Sequence, residues 1–171
     1  GYATAAVPGG LENIFEIKLT EVMTKGFGGG VDRLEEDQCQ EILEHLAGAA
    51  AVIVGSGAGR EPTTAELTAQ VAAECEAPLV LDADALSTFG TDLVPLAGRS
   101  ASTVLTPHDG EAGRLLGCDS GSVSARRLES ARELARRSGA VVVLKGDDTI
   151  VTDGERVAVN TLPAPALATA G

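Results

Sequence analysis

The chain has 171 residues, 44% of them hydrophobic and 2% aromatic, with a formal net charge of −12. That length and apolar content suffice for the core of one domain, residues 1–171, without disulfides or a structural metal. A balance this acidic excludes wrapping a polyphosphate backbone, so nucleic acid is not an expected partner.

The three cysteines, Cys39, Cys75 and Cys118, are odd in number, widely spaced and form no CxxC pair. Neither a disulfide framework nor a zinc site is expected, and a reducing cytoplasm fits. No apolar run approaches the roughly 20 residues that span a bilayer, so no membrane partner is expected.

From the N-terminus, "GYATAAVP" opens as though already inside a strand, and Gly28 to Gly30 mark a flexible loop within one domain. "EEDQCQEILEHLAG" spaces Cys39, Ile42, Leu43 and Leu46 on one helical face and stops at Gly48; "AAAVIVG" then reads as a strand buried on both faces. "PTTAELTAQVAAECEAP" opens with Thr63 and Glu66 in capping-box spacing and stops before Pro78, followed by the strand "LVLD". "STVLT" is the next strand. "SARRLESARELARRSG" carries Leu128, Ala131, Leu134 and Ala135 on a helical stripe, ends at Gly139 and gives way to the strand "AVVVLKG". In "TIVTDGERVAVN", Asp153-Gly154 between two alternating segments predicts a hairpin with a two-residue turn. The alternation is that of an α/β fold whose mainly parallel sheet ends in an antiparallel hairpin at one edge.

Ligands of open parallel sheets bind beyond the carboxyl ends of the strands, and there the unusual residues gather. "GSGAG" (Gly55 to Gly59) has the spacing of a loop that lets backbone approach a ligand, or equally of a tight strand-to-helix turn. It is neither a GxGxxG fingerprint nor a Walker A loop. In "DADAL", Asp82 and Asp84 could orient a substrate hydroxyl or hold Mg²⁺ through water, or one of them could cap a short helix over "ALSTF". In "TPHDGE", Pro107 fixes the exit from the strand and presents His108 from a rigid base. The imidazole is suited to donate to a phosphate, to bond a carboxamide, or to act as acid or base; alternatively, Asp109 caps the helix and His108 only satisfies a loop carbonyl. His45, inside an amphipathic helix, reads as a surface residue. Lys145, followed by Gly146, Asp147, Asp148 and Thr149, is well placed to meet phosphate, with the Thr149 hydroxyl adding a bond, unless it snorkels to pair with Asp147 or Asp148.

The ordered set "VPGG", "VGSGAG", "LDADAL", "LTPHDGEAGRLLG" and "VVLKGDDTIV" resembles the ADP- or ATP-dependent NAD(P)H-hydrate dehydratase family along nearly the whole chain. The resemblance implies a ribokinase-like three-layer α/β sandwich and a repair reaction. Hydrated NADH or NADPH is phosphorylated on its 6-hydroxyl from ADP or ATP with Mg²⁺, and phosphate is then eliminated. By similarity, Gly57 and His108 contact the hydrated dinucleotide, and Lys145 to Thr149 line the adenine nucleotide site; no residue is assigned to a metal. Family members usually carry a glycine-rich segment where this chain has "TLPAPALAT" (Thr161 to Thr169), so no anion binding is assigned there. The family's GxGD turn, whose aspartate serves as catalytic base, would begin at Gly171, and its first strand would precede Gly1. The expectation is therefore part of a longer protein, with the base beyond Gly171. The resemblance also allows a homo-oligomer and an epimerase domain fused upstream. Two competing functions are a small-molecule kinase of the same fold and a non-catalytic nucleotide-binding domain.

Overall fold

The computed structural model describes residues 1–162; expectations for residues 163–171, most of the "TLPAPALAT" segment and Gly171 among them, lie outside the described residues. In chain order the elements are β1 (Thr4–Pro8), α1 (Glu12–Lys18), β2 (Met23–Phe27), α2 (Cys39–Leu46), β3 (Val52–Val54), α3 (Pro62–Glu74), β4 (Leu79–Leu81), α4 (Asp84–Thr88), α5 (Val94–Ala97) and β5 (Thr103–Leu105). They continue with α6 (Asp109–Leu116), α7 (Ser120–Ala125), α8 (Arg127–Ser138), β6 (Val141–Leu144), β7 (Thr149–Thr152) and β8 (Val157–Asn160). Single 3₁₀ turns occupy Gly9–Leu11 and Glu36–Gln38.

Strands β3 to β8 lie side by side in sequence order, β3 to β6 parallel and β7 and β8 antiparallel. The register aligns Val54, Leu81 and Leu105, so three successive strands end together at one edge. Period-two alternation then sorts the side chains. Leu79, Leu81, Leu105, Val142 and Leu144 point to one face and are buried under Val71, Leu86, Leu115 and Leu134 of the helices. On the opposite face Val80, Val104 and Val143 are only half-buried, and Ile53 is 76% exposed. The expectation that "AAAVIVG" is buried on both faces is thus corrected: β3 is an edge strand of this sheet, with only one covered face among the described residues.

The chain's start does form a strand, β1, but its partner β2 was not legible beforehand. "MTKGF" mixes polar and small residues without alternation, and the pair forms a separate two-stranded parallel sheet. The loop Gly28 to Gly30 seals that pair: the Gly10 N–H donates to the Val31 carbonyl at 2.7 Å, and a Cβ on Gly9 would fall onto the Gly29 carbonyl.

Three local expectations differ. Helix α3 starts one residue before Thr63, with Pro62 in its first turn and no side-chain cap, so the Thr63 and Glu66 spacing is not a capping box; proline at that position lacks the N–H that a cap would satisfy. The helix expected over "SARRLESARELARRSG" is two, α7 and α8, broken at Arg126, and Leu128 is exposed while Ala131, Leu134 and Ala135 are buried. The β7–β8 hairpin forms, but its connection is the four residues 153–156, not a two-residue turn. Asp153 dictates this: its carboxylate accepts the N–H groups of Glu155 at 3.1 Å and Arg156 at 2.8 Å and pairs with the Arg156 guanidinium. Cys39 and Cys75 are buried and Cys118 is exposed; burial, with Glu74 and Glu36 nearby, pushes the Cys39 thiol up.

The bonds from the Arg156 N–H and guanidinium lower the pKa of Asp153 to about 2 from 3.8. A depressed folded value means the turn is stabilised above the unfolded value and loses that support as pH falls from about 4 towards 2. The protection factors of the Glu155 and Arg156 amides, relative to exchange of an unfolded chain at the same pH, are expected to fall over that window, and those of Asp153→Ala to be low at every pH; equal protection in both proteins would remove the carboxylate's role.

Candidate functional site

Beyond the carboxyl ends of β3 to β6 the four singled-out motifs are tied together by hydrogen bonds. The loop after β3 turns sharply: the Ala58 N–H donates to the Gly55 carbonyl at 3.1 Å, with Gly57 at φ +76°. A side chain on Gly57 would meet open space, so backbone conformation sets the requirement for glycine there. At Gly55, φ is +148° and a Cβ would fall onto the Asp82 carbonyl, so the loop after β3 and the end of β4 share space that only glycine leaves free.

Asp82 and Asp84 diverge. Spacing two on an extended chain would put both carboxylates on one face, but Ala83 lies at φ +48°, a conformation that costs an alanine energy and turns the chain between them. Asp84 accepts the Gly59 N–H at 3.2 Å and the Arg60 guanidinium at 2.7 Å, folding the glycine loop back. Asp82 accepts the Thr106 hydroxyl at 2.7 Å and the Lys145 ammonium at 2.7 Å. Neither caps α4, whose N-cap is Ala83, so the capping alternative is corrected. Partial burial pushes the Asp82 carboxyl up, but the bonds from Lys145 and Thr106 outweigh it and hold the group below its ordinary value. It is therefore charged at neutral pH.

His108 itself is the N-cap of α6, which corrects the alternative that Asp109 caps it. Its Nδ1 accepts the N–H groups of Gly110 at 2.9 Å and Glu111 at 3.3 Å, and Glu111 reciprocates by accepting the His108 N–H at 2.9 Å. This is a capping box with imidazole in the place usually held by a hydroxyl. An Nδ1 that accepts carries no proton, so Nε2 bears it, 3.4 Å from Glu111 Oε1, on a ring that is 55% exposed. Asp109 instead pairs with Arg127.

Lys145 lies beside His108. The two residues form a parallel β-bridge, and the Lys145 N–H donates to the Pro107 carbonyl at 2.8 Å. Its ammonium pairs with Asp82, with buried Glu111 at 3.8 Å, not with Asp147 or Asp148 as the snorkelling alternative had it. The Thr149 hydroxyl turns towards the Gly146 carbonyl at 3.5 Å. His108 and the Lys145 segment thus share one edge, with Gly57 joined to them through Asp84, the short β4 and Asp82. His45 is exposed as expected, its ring edge-on to Phe27.

Sequence reading passed over Glu111, Thr106 and Arg127. Glu111 had a signal, since it stands three residues after the cap. Thr106 and Arg127 had none, because their partners are 24 and 18 residues away.

The sequence profile of the NAD(P)H-hydrate dehydratase family matches residues 8–171. This chain belongs to that family. The bifunctional NAD(P)H-hydrate repair enzyme Nnr of Moorella thermoacetica is 39% identical over 174 residues, covering 100% of this chain and 33% of that protein. The crystal structure of the ADP/ATP-dependent NAD(P)H-hydrate dehydratase of Bacillus subtilis, co-crystallised with ATP/Mg²⁺ and soaked with CoA, superposes with a TM-score of 0.75 at 23% identity, covering 100% of this chain and 58% of that one. A ribokinase-like superfamily protein of Enterococcus faecalis gives 0.75 at 20% identity, covering 99% of this chain and 56% of that one. The fold is ribokinase-like. The chain spans about a third of the Moorella protein's length.

Gly55→Ala combines a left-hand-side φ with overlap on the Asp82 carbonyl, and should cost about 2 kcal/mol or more. Gly57→Ala meets only the φ penalty and should cost about 1 kcal/mol. Urea denaturation of both variants checks the order; equal losses would mean the Asp82 contact carries no weight.

Proposed function

We propose that the protein is a nucleotide-dependent NAD(P)H-hydrate dehydratase: it phosphorylates the 6-hydroxyl of hydrated NADH or NADPH from ADP or ATP and eliminates phosphate to restore the nicotinamide. Family membership supports the reaction class. The observation that carries the assignment of the site is the lateral bond from the Lys145 N–H to the Pro107 carbonyl, which seats two segments of distinct chemistry side by side at the strand ends.

In this reading His108 is a ligand to the hydrated dinucleotide and not the base. With Nδ1 spent on the cap, Nε2–H is a donor held in a fixed direction, suited to a carboxamide or phosphate oxygen. Gly57 brings unshielded backbone to the same ligand. Lys145, Gly146, Asp147, Asp148 and Thr149 line the adenine nucleotide site. Among the described residues no three of His, Cys, Asp and Glu gather as a metal cage, and Asp82 and Asp84 each hold a protein cation. These residues do not fit a resident Mg²⁺, so the reading assigns the ion to the phosphates of the nucleotide it accompanies. The reading leaves the catalytic base to the aspartate of the family's GxGD turn and assigns that role to none of the described residues.

No helix among the described residues is long and apolar enough to cross a membrane; a cytoplasmic location is part of the proposal. The Moorella relative is bifunctional and three times as long as the matched stretch; an upstream epimerase domain and a homo-oligomer are part of the proposal.

Incubating the complete protein with hydrated NADH, Mg²⁺ and either ADP or ATP should regenerate the near-ultraviolet absorbance of dihydronicotinamide, and the active nucleotide names the donor. A flat trace accompanied by a stable phosphorylated product from another small alcohol would replace this reading with a kinase.

His108→Ala removes a helix cap as well as a ligand, so it should lower stability by about 1 kcal/mol while raising the KM for hydrated NADH. The fold is therefore not untouched by this substitution, as a loop residue would allow. His108→Asn keeps a capping acceptor and should retain the melting temperature while still raising that KM about tenfold. An unchanged KM in His108→Asn would take the imidazole out of the site.

A further inference from the structure

The Lys145–Thr149 segment is shaped by a residue outside it. Arg127 is the first residue of α8, where the helix dipole disfavours a cation, and it follows a second arginine. Its side chain is nevertheless only 20% exposed, because the guanidinium turns back under the β6–β7 connection. One terminal nitrogen donates to the carbonyls of Leu144 at 3.2 Å, Lys145 at 3.2 Å and Asp148 at 2.9 Å. The other pairs with Asp109, the residue following His108.

Two consequences follow from this fork. With three carbonyls drawn inward, the amides of Gly146, Asp147 and Asp148 donate to no acceptor among the described residues, the arrangement of a backbone nest for anions. A Cβ on Gly146 would overlap the guanidinium, so a larger residue there would push Arg127 from its place. The local side chains do not supply an attraction for phosphate: Lys145 is neutralised by Asp82, Arg127 by Asp109, and Asp147 and Asp148 add negative charge. Backbone amides, correctly turned, are what remains.

We propose that Arg127 is a positioning residue: by holding the carbonyls of the β6–β7 connection inward, it sets the amides of residues 146–148 to receive the phosphates of the adenine nucleotide. The inference rests on the nucleotide site proposed above. A planar guanidinium reaches several carbonyls at fixed angles, which a lysine ammonium at the same place does not.

The test is calorimetric titration of the complete protein with Mg·ADP and, separately, with hydrated NADH, for the wild type, Arg127→Ala and Arg127→Lys. Both variants should bind Mg·ADP about tenfold more weakly, the loss expected for charge-assisted bonds that act indirectly, with hydrated NADH affinity unchanged. Guanidinium ion at millimolar concentration should restore part of the Mg·ADP affinity of Arg127→Ala and none of that of Arg127→Lys. Wild-type affinity for Mg·ADP in either variant overturns the proposal, as does a parallel loss of both ligands and of melting temperature without guanidinium rescue. A wild type that binds no Mg·ADP removes the nucleotide site itself, a failure seen before any variant is made.

Discussion

Asp82 directly follows β4, a strand with parallel neighbours on both sides, and it is bonded at the ends of three other strands. Its N–H donates to the Val54 carbonyl at 3.0 Å, and its carboxylate accepts from Thr106 after β5 and from Lys145 after β6. Strands of three or four residues contribute few ladder bonds each, so the alignment of their ends depends on such lateral ties. The glycine loop, the histidine cap and the lysine segment all take their positions from ends that Asp82 holds level. Removing its charge would release the Lys145 ammonium beside Glu111 and leave the Thr106 hydroxyl to the Leu81 carbonyl alone.

The electrostatics of this edge reverse a simple expectation. A site for anionic cofactors is usually sought among unpaired bases, yet each base here is matched by an acid. In place of free charge the edge carries directed groups: an imidazole held by a cap, glycine backbone without side chains and, beside the half-buried Arg127 guanidinium, amides of residues 146–148 without acceptors among the described residues. Fixed dipoles of this kind need no reorganisation when a ligand arrives. An acidic protein can in this way hold a polyphosphate ligand and still keep off nucleic acid.

Much of this was legible in the sequence because it is local. The five apolar strands "VIV", "LVL", "TVL", "VVVL" and "TIVT" were found from period and flanking glycine or proline, and their order fixed which motifs lie at the ligand edge. The failures are tertiary. "AAAVIVG" has the composition of a central strand but lies at an edge, which no residue within it encodes. The break at Arg126, whose φ of −142° leaves the helical range, interrupts a run of good helix formers, and the next residue, Arg127, turns to carbonyls 17 to 21 residues away that no local pattern predicts. The divergence of Asp82 and Asp84 needed the φ of Ala83, a conformation that alanine does not advertise.

Cys118 follows the left-handed Gly117 that ends α6, and its N–H closes that end on the Gly113 carbonyl at 2.8 Å. Its two fellow cysteines are buried, so a thiol reagent meets one open target. That target stands at the opposite end of the same helix as His108, and the eight residues of α6 between them rise about 12 Å at 1.5 Å each. The native sequence therefore supplies an attachment point for a fluorophore that is near enough to sense what happens at the histidine cap and far enough not to touch it.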